Sequence, residues 1–160
     1  MLSKHLEPLI LSFSIEAEDI AVIMSKIIRK IINSPLAPKP VGPYNQAVLV
    51  DKTLYISGVV GIDRSTGKLV PGGTTAEAKQ IFKNLGYVLQ EAGINFGNVV
   101  KTTVLLNDMN DFTAVNDIYK EYFKEPYPAR AAYQVGKLPV GAQVEIEAIA
   151  VVGEIETSKM

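Results

Sequence analysis

A long amphipathic segment between residues 74 and 92 constrains the fold more than any other feature of the chain. Its apolar residues recur at intervals of three and four, which is the spacing of one helix face. Thr74 and Glu77 have the spacing of a capping box, and Gly93 stands where a helix of this kind commonly ends. The sequence therefore predicts a helix from Thr74 to Ala92, whose apolar face must pack against a flat surface such as a β-sheet. That face consists of Ala78, Ile81, Phe82, Leu85, Val88, Leu89 and Ala92.

Short apolar segments, most of them with a period of two, supply the strands of that sheet. Two of them flank Asp51 and Lys52, a spacing that predicts a β-hairpin. A second helix is predicted over 112–123, where Asn110 or Asp111 can cap it. Because only two helices are present, we expect an α/β or α+β domain with both helices on one face of the sheet. The predicted strands are 27–32, 47–50, 53–57, 59–62, 99–106, 129–135 and 144–152.

The segment 137–141 is predicted to be a turn between the last two strands, which would then pair as a hairpin. Symmetric pairing about residue 139 places Arg130 near residue 148, one position from Glu147. An arginine and a carboxylate are therefore expected to meet there. They would form either a structural salt bridge or a site that holds substrate and water.

The last strand is apolar on both sides beyond Glu147. Because the two helices cover one face of the sheet, we interpret this pattern as a second face that is buried against another subunit. The alternative is an ordinary sheet whose second face is only weakly polar.

Composition excludes several classes of protein. The 16 basic and 17 acidic side chains give a net charge of −1, which leaves no excess charge to attract nucleic acid or an anionic membrane. The chain has no cysteine and its one histidine is His5, which excludes disulfides, cysteine nucleophiles and clusters of thiolate or histidine metal ligands. No run reaches the roughly 18 apolar residues of a membrane span. We therefore expect a soluble, cytoplasmic protein without a metal site.

Both ends of the chain differ from the rest. Residues 1–23 join a short apolar stretch to an acidic one, which fits neither a transit peptide nor a signal peptide. We interpret them as an extension outside a single domain of residues 24–160. The terminal Ser158, Lys159 and Met160 differ by one apolar residue from a peroxisomal address. A frayed polar end is the simpler interpretation, and a mitochondrial or peroxisomal pool is the alternative to a cytoplasmic one.

Arg130 is the first candidate for binding chemistry. It stands in the segment Pro128-Ala129-Arg130-Ala131-Ala132, whose small residues neither cover it nor supply a counter-charge. A guanidinium can bind a carboxylate through two parallel hydrogen bonds. The pattern favours an organic acid as the ligand of Arg130, and the alternative is a surface arginine with no ligand.

Glu145 and Glu147 are the candidates for proton transfer. They alternate with Val144 and Ile146, so that both carboxylates lie on one face of a strand, roughly 7 Å apart. Two like charges at this spacing, when partly buried, raise at least one pKa toward the range useful for acid–base catalysis. A solvated edge strand would show the same pattern.

Four other residues are candidates by their position in the chain. Tyr44 precedes a predicted strand, where a phenol can project from a loop. Ser57 and Gly58 end a strand, and a glycine there lets a ligand approach the backbone amide. Asn116 falls in the middle of the second helix. Packing, turn or solvent-facing roles are the alternatives for all four.

Several separated motifs form one recognisable pattern. They are Gly42-Pro43-Tyr44, Ile56-Ser57-Gly58, Val100-Lys101-Thr102-Thr103-Val104, Asn110-Asp111-Phe112, Val115-Asn116, Pro128-Ala129-Arg130 and Val144-Glu145-Ile146-Glu147-Ala148-Ile149-Ala150. In order and spacing they resemble the RidA/YjgF family, in particular its animal members.

This resemblance implies an α+β, chorismate-mutase-like fold with a mixed sheet and two helices on one face. It implies a homotrimer whose sheets face inward, with active sites in clefts between subunits. The implied activity is the hydrolysis of reactive 2-imino and enamine acids, such as 2-iminobutanoate and 2-iminopropanoate, to 2-oxo acids and ammonia without a cofactor. The implied partner is therefore a small anionic imino acid.

The resemblance also implies roles for single residues. Arg130 would hold the substrate carboxylate with help from the backbone of Gly58, and Glu145 would position and activate water. Two positions depart from the family pattern, since bacterial members often have cysteine at Ala132 and many members have glutamine at Val59. The residues that match pocket-lining positions are Tyr44, Ser57, Asn116 and, through its backbone, Ala132.

Two other functions are open at this point. Animal members of the family have been described as translation inhibitors with endoribonuclease activity, so RNA is an alternative partner. The neutral charge balance and the lack of a basic and aromatic stripe do not favour RNA. The third possibility is a trimer that acts as a chaperone or binds partners without turnover.

Overall fold

A computed structural model describes residues 26–158, which form a six-stranded β-sheet with two α-helices packed on one face. A short two-stranded ribbon lies beside this sheet. The main strands are β1 (Arg29–Ile32), β2 (Ala47–Val50), β3 (Thr53–Val60), β6 (Val99–Leu106), β7 (Ala129–Gln134) and β8 (Val144–Val151), the ribbon consists of β4 (Ile62–Asp63) and β5 (Lys68–Leu69), and the helices are α1 (Gly73–Glu91) and α2 (Phe112–Tyr122).

The main sheet has the strand order β1-β2-β3-β8-β6-β7, and every neighbouring pair is antiparallel except β6 and β7. Two parallel neighbours need a crossover connection, and α2 provides it between β6 and β7. The sheet is therefore mixed, and the α+β fold with both helices on one face is confirmed.

The predicted hairpin of the last two strands is wrong. β6 lies between β7 and β8, so that Arg130 pairs with Thr102 and Thr102 pairs in turn with Ala148. The physical reason is the α2 crossover, which returns the chain beside β6 in the parallel direction. The chain then reaches β8 on the far side of β6 through the 3₁₀ turn Pro139–Gly141.

The strand predicted at 59–62 is also not a separate element. Val59 and Val60 continue β3, and Ile62 begins the ribbon of β4 and β5. The hairpin around Asp51 and Lys52 is present as predicted, since β2 and β3 pair on either side of these residues.

The start of α1 differs from the predicted capping box. The N-cap is Gly72, which has no side chain to contribute, and Thr74 instead donates a hydrogen bond to Asp111 Oδ2. Glu77 is buried and accepts a hydrogen bond from the backbone N–H of Gln143 at 2.8 Å. Both side chains therefore connect α1 to other segments rather than cap it. Gly93 ends the helix as predicted, with a positive φ of 73°.

The same hydrogen bond explains why α2 lacks the predicted side-chain cap. Asp111 is its N-cap residue, yet the Asp111 side chain makes no capping bond because it accepts from Thr74. Asn110 does not cap α2 either.

The core lies between the helices and one face of the sheet. Leu54, Ile146 and Ala150 of the sheet are buried there against Ile81 and Leu85 of α1. The opposite face of the sheet carries Tyr55 and Tyr133, which are 51% and 50% exposed. Burial of that face against another subunit stays a prediction.

Four predictions concern the two ends of the chain, membrane-spanning helices and metal sites. The extension at residues 1–23, and Lys159 and Met160 of the C-terminal tail, lie outside the described residues. Neither helix in the described part of the chain is apolar enough to span a membrane. Within residues 26–158, no group of three or more His, Cys, Asp or Glu side chains is arranged to hold a metal ion.

Candidate active site

A cavity of about 310 Å³ opens beside the middle of the sheet. Four of the residues singled out in the sequence line it, and they come from three different parts of the chain. Its deeper wall includes Val88 of α1, and its rim includes Val140 of the turn before β8. The four predicted residues that line it are Tyr44, Ser57, Gly58 and Glu145.

A β-bulge brings Ser57 and Gly58 to this cavity. Ile56 pairs with Ala148 and Val59 pairs with Ile146, so two residues of β3 stand opposite the single Glu147 of β8. A bulge of this kind bends its strand and redirects the residues beside it. The Ser57 hydroxyl donates a hydrogen bond to the Asn45 carbonyl at 2.7 Å, which fixes the loop before β2 to the bulge.

Gly58 makes room for the carboxylate of Glu145. A Cβ atom added to Gly58 would overlap Glu145 Oε1 and would lie 2.8 Å from its Cδ. The side chain of Glu145 therefore lies directly over the backbone of the bulge. Any other residue at position 58 would displace this carboxylate.

The environment of Glu145 favours its protonated form. Burial raises the pKa of the Glu145 carboxyl above its ordinary value, and the negative charge of Glu147 raises it further. The sequence predicted this direction from the two like charges, but burial is the larger cause. A carboxylate with a raised pKa is a stronger base once it is ionised, which suits it to take a proton from water.

Tyr44 lies at the mouth of the cavity. Its side chain is 47% exposed, and its hydroxyl accepts a hydrogen bond from the backbone N–H of Val41 at 3.3 Å. The phenol is thus held by its own loop where it lines the cavity.

Arg130 belongs to a second cluster that does not line the cavity. Its guanidinium lies 4.8 Å from the ring centre of Tyr119 and 5.5 Å from that of Phe112, both on α2. Asn116 lies between these aromatic residues on the same helical face, since positions 112, 116 and 119 follow the helix repeat. Ala132 shares the Arg130 face of β7 because strand side chains alternate with a period of two.

The seven predicted site residues therefore fall into two groups within one chain. Tyr44, Ser57, Gly58 and Glu145 line the cavity, and Arg130, Asn116 and Ala132 lie around α2 and the edge strand β7. The expected meeting of Arg130 with a carboxylate of its own chain does not occur, because the only ion pair among residues 26–158 joins Lys120 to Asp117.

Sequence reasoning missed the aromatic residues beneath Arg130. Phe112 and Tyr119 fall within the helix predicted over 112–123, and the sequence assigned them no role in binding. The spacing of seven residues between Phe112 and Tyr119 places both rings on one face of the helix, but nothing in the sequence indicates that this face packs near β7.

Comparison with known proteins identifies the family. A family-wide sequence profile described as endoribonuclease L-PSP, the RidA/YjgF family, matches residues 34–152. The chain belongs to the RidA/YjgF family. A human protein named 2-iminobutanoate/2-iminopropanoate deaminase is 58% identical over 137 residues, which cover 86% of this chain and 100% of that protein. A mouse protein of the same name is 65% identical over 130 residues, covering 81% of this chain and 96% of the mouse protein.

Solved structures of the RidA/YjgF family share the fold. The crystal structure of RidA from an Antarctic Psychrobacter species aligns with a TM-score of 0.75 and 44% sequence identity. The alignment covers 77% of this chain and 99% of that one.

Proposed function

We propose that this RidA/YjgF protein hydrolyses reactive 2-imino and enamine acids, such as 2-iminobutanoate and 2-iminopropanoate, to 2-oxo acids and ammonia. The observation that carries the proposal is the half-buried carboxylate of Glu145, which has a raised pKa and faces a cavity large enough for a small organic acid. The names of the human and mouse relatives support the same reaction.

In the proposed mechanism, the guanidinium of Arg130 binds the substrate carboxylate, and the amide of Gly58 helps to orient the substrate. Glu145 takes a proton from a water molecule as the water oxygen forms a bond to the carbon of the protonated imine, and the electron pair of the carbon–nitrogen double bond moves to the nitrogen. The resulting tetrahedral adduct carries a hydroxyl and an amino group on the same carbon. Protonated Glu145 then gives its proton to the amino nitrogen, and an electron pair of the hydroxyl oxygen expels ammonia. The hydroxyl group loses its proton to Glu145 or solvent, which leaves the 2-oxo acid. General base catalysis of this kind contributes roughly 100- to 10,000-fold.

No step of this mechanism needs a cofactor. Water is the nucleophile, the imine carbon is already electrophilic, and the imine nitrogen leaves as ammonia. The reaction therefore involves no oxidation or reduction. The remaining pocket residues would enclose the small substrate and exclude bulk water. They are Tyr44, Ser57, Asn116 and the backbone of Ala132.

We further propose a homotrimer in which the Arg130 cluster of one protomer faces the Glu145 cavity of a neighbour. Three features support this arrangement. The two groups of site residues lie apart within one chain, and Arg130 has no carboxylate partner among residues 26–158. The exposed tyrosines Tyr55 and Tyr133 give the outer face of the sheet the aromatic character of an interface. The inward-facing sheets would then be buried in the assembly.

The decisive experiment measures the decay of an imino acid that a dehydratase or an amino-acid oxidase generates in the same solution. We expect Arg130→Ala to lose most of the acceleration, whereas Arg64→Ala, which removes an exposed arginine on the turn between β4 and β5, keeps it. An Arg130→Ala protein as active as the wild type would refute the proposed role of Arg130.

A second function has one observation in its favour, which is the description of the matching family as an endoribonuclease. The net charge of −1 gives RNA no general electrostatic attraction. Cleavage of RNA that is lost in Arg130→Ala, together with imine decay that is unchanged, would favour the ribonuclease over the deaminase.

We also infer that residues 24–160 form the functional domain, with residues 1–23 as an extension, since the family match lies within 34–152. We propose a cytoplasmic location for the protein, and a mitochondrial or peroxisomal pool is the alternative. Microscopy of the full chain with and without Ser158-Lys159-Met160 tests both.

A further inference from the structure

The guanidinium of Arg130 is held by aromatic rings rather than by an acid. It lies 4.8 Å from the ring centre of Tyr119 and 5.5 Å from that of Phe112. A cation over the face of a ring is attracted by the electron density of that face. Among residues 26–158, the guanidinium forms no ion pair, so no carboxylate occupies its N–H groups. A carboxylate partner would occupy these same donors.

The Tyr119 ring is itself anchored to the strand beside Arg130. Its hydroxyl and the Thr102 hydroxyl are hydrogen-bonded at 2.9 Å. Thr102 is also the residue of β6 that pairs with Arg130 of β7. Tyr119 and Thr102 are 4% and 0% exposed, so water does not compete for this bond. The ring under the guanidinium is therefore tied to the residue that stands directly beside Arg130 on the neighbouring strand.

We propose that Tyr119, anchored by Thr102, is a positioning residue that holds the Arg130 guanidinium in place with its N–H donors free for an incoming carboxylate. An arginine side chain is long and loses rotamer freedom when it binds. Restricting it in advance, without neutralising it, lowers the cost of binding an anion. This inference rests on the proposed function for its ligand, a small carboxylic acid, and on the geometry of one chain for everything else.

The test uses two substitutions that remove one hydroxyl each, Tyr119→Phe and Thr102→Val. Because a side-chain hydrogen bond contributes about 1 kcal/mol net, each should raise KM for the imino acid about fivefold. We expect kcat to change little, since Arg130 binds the carboxylate equally in the ground state and the transition state. The double variant should be no worse than either single one, because both remove the same bond.

Tyr122→Phe is the matched control. Tyr122 lies on the same helix, stacks on Phe82 at 4.7 Å between ring centres, and does not contact Arg130. Its loss of a hydroxyl should leave KM unchanged. Equal increases of KM in Tyr119→Phe and Tyr122→Phe would show a general effect on packing and would overturn the proposal.

A second readout does not depend on catalysis. Nuclear magnetic relaxation of the Arg130 Nε–H group reports how tightly the guanidinium is held. We expect its order parameter to fall in Tyr119→Phe and Thr102→Val but not in Tyr122→Phe. An unchanged order parameter overturns the positioning role. A reduced order parameter with unchanged KM supports positioning by Tyr119 and counts against Arg130 as the carboxylate ligand, so the two proposals can fail separately.

Discussion

The carboxylate of Glu145 occupies the space that a side chain at Gly58 would fill. This relationship depends on the bulge in β3, which places Gly58 opposite β8 without a paired residue of its own. Glu145 and Gly58 are therefore a steric pair, although they are far apart in the chain.

Gly58→Ala should abolish most of the imine hydrolysis while leaving the protein folded. The added Cβ would overlap Glu145 Oε1 and push the carboxylate away from the bulge. We expect a loss of roughly 100-fold or more in kcat/KM, the usual contribution of a general base. Gly136→Ala is the control, because a Cβ there meets no atom within 4 Å. Equal activity of the two variants would contradict the steric argument.

The pH dependence of kcat/KM should change when the charge of Glu147 is removed. Because the charge of Glu147 raises the pKa of Glu145, Glu147→Gln should lower the pKa of Glu145. In the proposed mechanism Glu145 acts as a base only when it is ionised, so kcat/KM should then persist to lower pH than in the wild type. The measurement is kcat/KM against pH. Glu91→Gln, at the exposed end of α1, should leave the profile where it is.

Glu145→Gln should be inactive but more stable than the wild type at neutral pH. The pKa of Glu145 is higher in the folded protein than in the unfolded chain. Ionisation of Glu145 therefore destabilises the folded protein as the pH rises above the pKa that this group has in the unfolded chain. Glutamine removes that cost. Urea unfolding at equal protein concentration should show the gain at neutral pH, and the gain should shrink in acid, where the glutamate is protonated. A gain that is the same at both pH values would argue against ionisation as its cause.

Two inactive variants should restore activity when they are mixed. If each site combines Arg130 of one protomer with Glu145 of a neighbour, Arg130→Ala and Glu145→Gln each supply what the other lacks. After unfolding and refolding together in equal amounts, random assembly should give about a quarter of the wild-type activity. Each variant refolded alone is the control. A mixture that stays inactive, in trimers shown to be mixed, would place both residues of a site on one chain.

Val140→Asn should stabilise the protein. Val140 has φ 53°, a left-handed conformation that is costly for a branched side chain and acceptable for asparagine. The side chain is 61% exposed, so little apolar burial is lost. We expect a gain of about 1 kcal/mol in the free energy of unfolding. Asp51→Asn, at φ 52°, should change stability little, because aspartate already tolerates this conformation.

The elements of the fold were predictable from the sequence, but part of their pairing was not. The periodicity of 74–92 gave α1 within one residue at each end. The partner of β7 could not be found this way, because a strand pattern is the same whether its neighbour is β6 or β8. Pairing was decided by the α2 crossover, a relationship between distant segments.

The candidate site was likewise only partly predictable from the sequence. The alternation of Glu145 and Glu147 correctly indicated the direction of the pKa shift through their like charges, but the larger cause is the burial of Glu145, which depends on the fold. The bulge at Ser57 and Gly58 could not be predicted, because it is a mismatch between two strands rather than a pattern within one. The position of the Tyr119 ring beneath Arg130 could not be predicted either, because the seven-residue spacing of Phe112 and Tyr119 is also typical of an ordinary buried helix face.

The parallel pairing of β6 and β7 has a consequence for how this molecule can change. Thr102, Phe112, Asn116, Tyr119 and Arg130 all lie in the uninterrupted unit of β6, α2 and β7, whereas Glu145 and its bulge lie outside it. Exchanging residues 99–134 as one block between relatives would therefore move the proposed carboxylate-binding residues together and leave Glu145, the proposed base, in its own segment. The exchanged block would have to keep its pairing with β8, because Leu105 of β6 stands opposite Glu145.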